Sequence, residues 1–196
     1  MTKATAQTRD HLIEAALEAL KTVGFAGATS RTIARIGGFN QALIFYHYGS
    51  VDALLLAALD RTSEQRLARY REALAQVDSF EQLAELAARI YREDRESGHL
   101  TVVSQMVAGS LARPELAPEI ATRMEPWLEL AEEALAKVST GTLLETALPL
   151  PDLAYAAVTY YLGVNLLANL DPERSRAEFE RAVELAGIAG TLLRPP

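Results

Sequence analysis

The sequence predicts an all-α protein with an N-terminal three-helix helix-turn-helix domain and a C-terminal helical domain. Apolar residues recur at the spacing of an amphipathic helix over most of the 196 residues, and no run resembles the two-residue pattern of a strand. Glycines divide the first fifty residues into short segments. The composition, 49% apolar and 23% charged, is typical of a folded globular chain rather than a disordered one.

The first predicted helix runs from about Thr5 to Val23. Its apolar face is formed by residues at positions i, i+3, i+4 and i+7, namely Ile13, Ala16, Leu17 and Leu20. Gly24 follows, and glycine is the usual residue just past the last turn of a helix. We therefore expect the chain to leave the helix at Gly24.

Two shorter helices and a glycine turn come next. Thr29 or Ser30 is suited to cap a helix that continues to Ile36, and the glycines at 37–38 stop that helix after two turns. A third helix begins near Asn40. Two short helices joined by such a turn form a helix-turn-helix unit, whose second helix is suited to the major groove of DNA.

Long helices are predicted for the rest of the chain. Ser50 caps a helix from Val51 to about Ala75, roughly 35–40 Å long at 1.5 Å per residue. Further helices are predicted at Ser79–Glu96, Leu100–Ala112, Glu115–Val138, Asp152–Asn169 and Arg174–Leu192. Pro126 is expected to kink or interrupt the third of these, and residues 139–151 are expected to form a loop because of their glycine and proline content. We place the domains at residues 1–50 and 51–196.

The charge of the chain is unevenly distributed. The net charge is −7 in total, but residues 1–50 hold five lysines and arginines against three acidic residues, a net charge of +2. The remainder therefore carries −9. A basic N-terminal domain on an acidic body is the asymmetry expected when one end of a protein meets phosphates.

The residue inventory disfavours an enzyme. The chain has no cysteine and three histidines, which excludes thiolate metal sites, iron–sulfur clusters and cysteine nucleophiles. Glu96 and His99 have the Glu-x-x-His spacing of di-iron helical bundles, but Gly98 breaks the helix and the motif has no second copy. We expect no enzymatic activity, no catalytic residue, no metal and no cofactor.

Two segments bear on whether the protein is secreted or bound to a membrane. No apolar stretch follows Lys3, so no secretory signal is expected. Residues 153–170 carry no charge, but Asn165, Asn169 and three tyrosines make this stretch too polar for lipid. We interpret it as a buried or subunit-interface helix of a cytoplasmic protein that does not contact the membrane.

The first fifty-odd residues resemble the DNA-binding domain of the TetR family of transcriptional repressors (TetR/AcrR type). The matching residues are Arg9, Ala15, Ala16, Leu20, Gly24, Phe25, Thr29, Ser30, Ile33, Ala34, Gly38, Ala42, Ile44, Phe45, His47, Tyr48, Ser50, Val51, Asp52, Leu54 and Leu55. Over the rest of the chain the similarity is one of helical character and length. The chain departs from the family pattern at Val51, where a phosphate-contacting lysine is usual, at Asn40, where serine or threonine is usual, and at Phe39, where valine is usual.

The resemblance implies a homodimer on a pseudo-palindromic double-stranded DNA operator. Its two recognition helices would then lie about one DNA turn apart, ~34–36 Å. Arg31, Gln41 and Asn40 have side chains that can pair with base edges, and Ile44 and Phe45 are expected to fasten the third helix to the first two. The full set of expected DNA-contacting residues is Lys3, Thr29, Ser30, Arg31, Asn40, Gln41, Ala42, Tyr46 and His47.

The resemblance also implies that the C-terminal domain binds a small molecule and forms the dimer. The candidate ligand contacts, which are equally suited to a plain core, are Leu86, Ile90, Val103, Met106, Val107, Trp127 and Tyr160. They predict a largely apolar effector. The candidate dimerisation residues, on the last two long helices, are Tyr161, Gly163, Leu166, Phe179, Val183 and Ala186.

The sequence thus predicts a sequence-specific DNA-binding transcriptional regulator, a repressor released from its operator by a small-molecule effector. The alternative is a helical dimer of the same fold that binds a metabolite or protein without DNA, which the missing lysine at Val51 makes conceivable.

Overall fold

The computed structural model describes residues 3–147 and 149–192, and within them every regular element is helical. The helices are α1 Lys3–Gly27, α2 Ser30–Gly37, α3 Ala42–Tyr48, α4 Val51–Ala75, α5 Phe80–Glu96, α6 His99–Ala112, α7 Ala117–Ser139, α8 Leu144–Ala147, α9 Leu150–Leu167 and α10 Pro172–Leu192. A 3-10 turn, Pro114–Leu116, precedes α7. The predicted all-α class is confirmed.

The chain folds into two compact units. The first contains the residues up to Gln65 together with Gly98–Arg123, and the second contains Arg66–Ser97 together with the residues from Met124 onward. The first unit takes in α6 because α6 packs against α1. These packing units differ from the division at residues 50 and 51, which concerns function and stays a prediction.

The core of the first unit is formed mainly by leucine and isoleucine side chains, with Met106, from α1 to α4 and from α6. Its fully buried members include Leu12, Leu20, Ile33, Ile44, Leu54, Leu55, Leu59, Leu100 and Met106. Gly24 has φ 70° and ψ 179°, so α1 breaks there as predicted, and one further turn continues to Gly27. Glycine adopts this positive φ without the steric cost that a Cβ atom would add.

In the second unit, α5 packs along α10. One core cluster consists of Leu74, Val77, Leu86 and Val138, with Phe80 and Leu130 packed against it. Some sequence-based boundaries were wrong in detail: α7 begins only after the 3-10 turn, and the expected loop at 139–151 contains α8. Helix α7 is not interrupted at Pro126, and the kink expected there stays a prediction.

Hydropathy along the helices gives no single membrane-spanning candidate. Among the described residues, no one helix is both long and apolar enough to cross a membrane. The pair formed by α3 and α4 passes that test only when joined across a bend of 68°.

Candidate nucleic-acid interface

The start and end of α2 are set by side-chain and glycine caps. Thr29 has extended backbone angles, and its Oγ1 accepts a hydrogen bond from the Thr32 amide at 3.2 Å. This confirms the cap predicted from sequence. At the other end Gly38 lies in the left-handed region, φ 67°, and its amide donates to the Ala34 carbonyl. The chain therefore turns sharply before α3.

Helix α3 is short and is held by one buried residue. Asn40 Oδ1 accepts a hydrogen bond from the Ala42 amide at 2.9 Å, which supports the first turn. Ile44 is completely buried in the core of the first unit. Gly49, with φ 78°, ends the helix and donates to the Phe45 carbonyl at 2.9 Å.

An arginine of α1 fixes the end of α3. Arg9 Nη1 donates to the His47 carbonyl at 2.7 Å, and the Tyr48 hydroxyl donates back to the Arg9 carbonyl at 3.2 Å. The Arg9 guanidinium also lies 4.3 Å from the centroid of the Tyr48 ring. Burial raises the pKa of Tyr48, although the neighbouring positive charge of Arg9 opposes this. Arg9 thus orients the candidate interface, a role that its place in the sequence did not suggest.

Most of the expected DNA contacts lie on the surface of the first unit. The exposed ones are Thr29, Arg31, Asn40, Gln41, Ala42 and Tyr46, while Ser30 and His47 are partly buried. Ser30 Oγ donates to Gln41 Oε1 at 3.5 Å, so the first residue of α2 lies beside the residue that immediately precedes α3. Lys3 is the first residue of α1, and its side chain lies outside the described part of the structure.

The structure corrects the expected role of Phe45. We expected this side chain to fasten α3 to the first two helices, but its ring is 50% exposed. Ile44 occupies the inward position instead. The exposed face of α3 therefore carries Ala42, Phe45 and Tyr46, and the exposed cap residue Gln41 precedes them. Tyr46 is the most exposed of the described Phe, Tyr and Trp side chains at 81%.

The start of α4 is fixed by two contacts. Ser50 Oγ accepts a hydrogen bond from the Ala53 amide at 3.0 Å, as predicted for a helix cap. Asp52 in the first turn forms an ion pair with Arg113 at the end of α6. The guanidinium of Arg113 also lies 5.6 Å from the centroid of the Phe25 ring in α1. The segment following α3 is therefore tied to α1 and α6 within the first unit.

The structure divides the expected ligand-contacting residues between the two units. Val103 and Met106 are buried in the first unit, where Met106 has no exposed surface, and Val107 is 43% exposed. The others belong to the second unit, where Leu86 and Ile90 pack in the core cluster around Leu74. Which of the seven residues contact a ligand, and which only form the core, stays a prediction.

A buried carboxylate organises the second unit. Asp94, 1% exposed, accepts hydrogen bonds from Arg66 Nε at 2.8 Å, the Tyr70 hydroxyl at 2.5 Å and the Tyr161 hydroxyl at 2.8 Å. We call these four residues the Asp94 network. Burial, and then the neighbouring carboxylate of Asp94, raise the pKa of both tyrosines above its ordinary value of 10.0. Trp127 lies beside the network, with its ring centroid 6.2 Å from that of Tyr70.

The expected dimerisation residues separate into inward and outward groups. Phe179 is buried within its own protomer, stacked on Tyr91 with centroids 4.0 Å apart, and Tyr161 belongs to the Asp94 network. Both side chains thus have partners inside one protomer, and their role in dimerisation stays a prediction. Gly163, Leu166 and Ala186 are exposed and Val183 is partly buried. The other large apolar side chains exposed on α9, on α10 or in the turn between them are Tyr155, Tyr160, Leu167, Leu170, Leu185 and Ile188.

The two residues of the Glu-x-x-His motif lie in different surroundings. His99 is buried, with its Nδ1 3.2 Å from Thr62 Oγ1, and Glu96 is exposed. Within the ranges described, no three His, Asp or Glu side chains are grouped so that they could hold a metal ion.

A short capped helix, a glycine turn and a second helix with a polar exposed start define a helix-turn-helix protein. Residues 12–58 match the family model described as "Bacterial regulatory proteins, tetR family". This segment therefore carries the DNA-binding domain of the TetR family, as the N-terminal residues indicated.

Individual relatives extend the comparison. The HTH-type transcriptional regulator BetI of Stenotrophomonas maltophilia is 32% identical over 113 residues, which cover 56% of this chain and 57% of that protein. The chain thus spans little more than half the length of this curated relative. A TetR-family regulator from Rhodococcus sp. superposes with a TM-score of 0.75 at 18% identity, covering 93% of this chain and 99% of the other. FadR from Bacillus subtilis in complex with stearoyl-CoA superposes with a TM-score of 0.76 at 15% identity, covering 90% and 96%. At such identities these structures show a shared fold.

Proposed function

We propose that this protein is a sequence-specific DNA-binding transcriptional regulator, and that it is a cytoplasmic repressor released from its operator by a small-molecule effector. The observation that carries the proposal is the exposed polar start of α3 beside the start of α2, held from behind by Ile44 and Arg9. A rigid backing is what a base-reading helix needs, because contacts to base edges depend on fixed geometry.

The contacts divide by chemistry into two groups. Arg31 is suited to guanine O6 and N7, and Gln41 is suited to adenine N6 and N7. Asn40 already accepts from the Ala42 amide through its Oδ1, so its side-chain amide nitrogen is the group that would donate to a base. Hydroxyls such as Thr29 and Tyr46 would contact phosphates, which position the protein without discriminating sequence.

Dimerisation would set the spacing of the two recognition helices. The number of exposed apolar side chains on α9 and α10, among them Leu166 and Leu185, supports a subunit interface there, because helix faces rich in exposed apolar side chains are usually covered by a partner surface. A two-fold dimer matches an inverted-repeat operator with half-sites about one DNA turn apart.

Release by an effector requires that the compound binds the DNA-incompetent conformation more tightly than the competent one. Helix α4 runs from the residue after the α3 turn to Ala75, so a shift of α4 would move the recognition helices. The similarity of fold to FadR, whose structure holds stearoyl-CoA, supports a largely apolar effector for this chain.

Selection from a pool of duplexes with a randomised segment of about 30 base pairs tests this function. The purified protein should enrich an inverted repeat whose half-sites lie about one turn apart, and binding should weaken steeply with salt. If no sequence is enriched at any salt concentration, the DNA-binding function is refuted and the alternative, a dimer that binds a metabolite or protein without DNA, is favoured.

A further inference from the structure

The least expected feature of α3 is the half-exposed ring of Phe45. It follows Ile44, which is completely buried, and precedes Tyr46, which is 81% exposed. A phenyl ring has no hydrogen-bonding group, so it gains nothing from water. Its position on the outer face of the helix leaves half of its surface available to an apolar partner outside the first unit.

The position of Phe45 on α3 defines where that partner must lie. Residues three and four apart are neighbours on a helix surface, with Cβ atoms about 5–6 Å apart, so Phe45 adjoins both Ala42 and Gln41. All three are exposed. If Gln41 faces base edges in the major groove, the Phe45 ring enters the same groove.

The major groove presents one kind of apolar group that the Phe45 ring could contact. Base edges there present hydrogen-bond donors and acceptors, and the apolar group among them is the 5-methyl of thymine. We propose that Phe45 is a specificity-determining residue that recognises a thymine methyl group in each half-site. This inference rests on the proposed DNA-binding function.

The geometry also places the thymine. Base pairs rise about 3.4 Å each, and the Cβ atoms of Gln41 and Phe45 are separated by about 5–6 Å. The thymine should therefore lie one or two base pairs from the base that Gln41 contacts. The Tyr46 hydroxyl, on the more exposed side of the helix, would then contact the sugar-phosphate backbone of the DNA.

The test uses a duplex selected by the wild-type protein, and a second duplex in which deoxyuridine replaces the proposed thymine in both half-sites. Deoxyuridine lacks only the methyl group. Binding should weaken about fourfold per half-site, roughly fifteenfold in total, since burying one methyl-sized group is worth ~0.8 kcal/mol. Fluorescence anisotropy at fixed salt measures both affinities.

Two variants assign the effect to Phe45. Phe45→Ala should bind the thymine and deoxyuridine duplexes equally, whereas Phe45→Tyr, which keeps the ring, should keep the preference for thymine. Thermal melting of both variants checks that the first unit still folds. If Phe45→Ala does not fold, Phe45→Leu replaces it and should retain only part of the preference.

The possible failures are distinct. If the wild-type protein binds both duplexes equally, or Phe45→Ala weakens both by the same factor and keeps their ratio, the ring contacts sugar or backbone and this inference is overturned while DNA binding stands. If the wild-type protein selects no duplex at all, the proposed function falls and this inference falls with it.

Discussion

Replacing Asp94 with alanine would remove the acceptor at the centre of the Asp94 network. Its carboxylate is 1% exposed and receives three hydrogen bonds, and the Arg66 side chain that pairs with it is only 16% exposed. Removing one partner of a buried pair leaves the other charge without compensation in a poorly solvated place, which typically costs about 3–5 kcal/mol. We expect that loss in the free energy of unfolding.

The matched control is the neighbouring residue on α5. Glu93 pairs with Arg69 at 2.7 Å, but their side chains are 39% and 57% exposed. Surface pairs of this kind contribute about 0–1 kcal/mol. Glu93→Ala makes the same change of charge in the same helix. The difference in the free energy of unfolding between the two variants therefore measures the effect of burying the carboxylate.

Urea denaturation followed by circular dichroism measures both variants at one protein concentration, because the proposed dimerisation would link stability to concentration. Asp94→Ala should also melt on the order of 10 °C lower, given about 2–4 °C per kcal/mol for a chain of this size. If the two variants lie within about 1 kcal/mol of each other, the account of the Asp94 network as a buried, mutually dependent set is refuted.

Three further perturbations test other parts of the structure. Burial and Asp94 raise the pKa of Tyr161 above 10.0, so its protonated hydroxyl stabilises the fold fully below pH 10, and this contribution is lost as the pH rises further, by up to ~1.4 kcal/mol per pH unit. In urea titrations across that range, Tyr161→Phe should lose stability less steeply with pH than the wild-type protein. An equal slope for both proteins would contradict a raised pKa at Tyr161. Val51→Lys should tighten operator binding and steepen the dependence of log K on log salt by about one per subunit; an unaltered slope would mean that α4 does not begin at a phosphate. Leu166→Glu should dissociate the dimer in sedimentation velocity, whereas Leu111→Glu, at an 85% exposed position in the first unit, should not; a dimer that tolerates both changes would place the interface elsewhere.

The sequence predicted the helix breaks well because their causes are local. Thr29 and Ser50 cap helices through atoms within three residues of themselves, and Gly24, Gly38 and Gly49 adopt positive φ angles that glycine tolerates. Such signals are present in the sequence whatever the rest of the chain does. The TetR-family resemblance, which rests on the same short segment, was confirmed for the same reason.

The inward and outward directions of side chains were harder to predict. Ile44 and Phe45 are adjacent and both apolar, so a two-turn helix gives no periodicity long enough to decide which of them is buried. The Asp94 network joins Asp94 to residues that lie 24, 28 and 67 positions away in the sequence, so no local sequence pattern predicts it. Met106 illustrates the same limit, because hydrophobicity does not distinguish a core residue from the wall of a cavity.

The central claim is that the exposed starts of α2 and α3 read base sequence. Its most direct test is the base preference of Arg31→Ala and Gln41→Ala, measured by duplex selection. Arg92→Ala, which removes the charge of an exposed side chain in the second unit, is the control. Each interface variant should lose discrimination at one position of each half-site, by about 1–3 kcal/mol per base pair, while the control keeps the full profile. If all three variants select the wild-type sequence with unchanged preference at every position, this face of the molecule does not recognise bases.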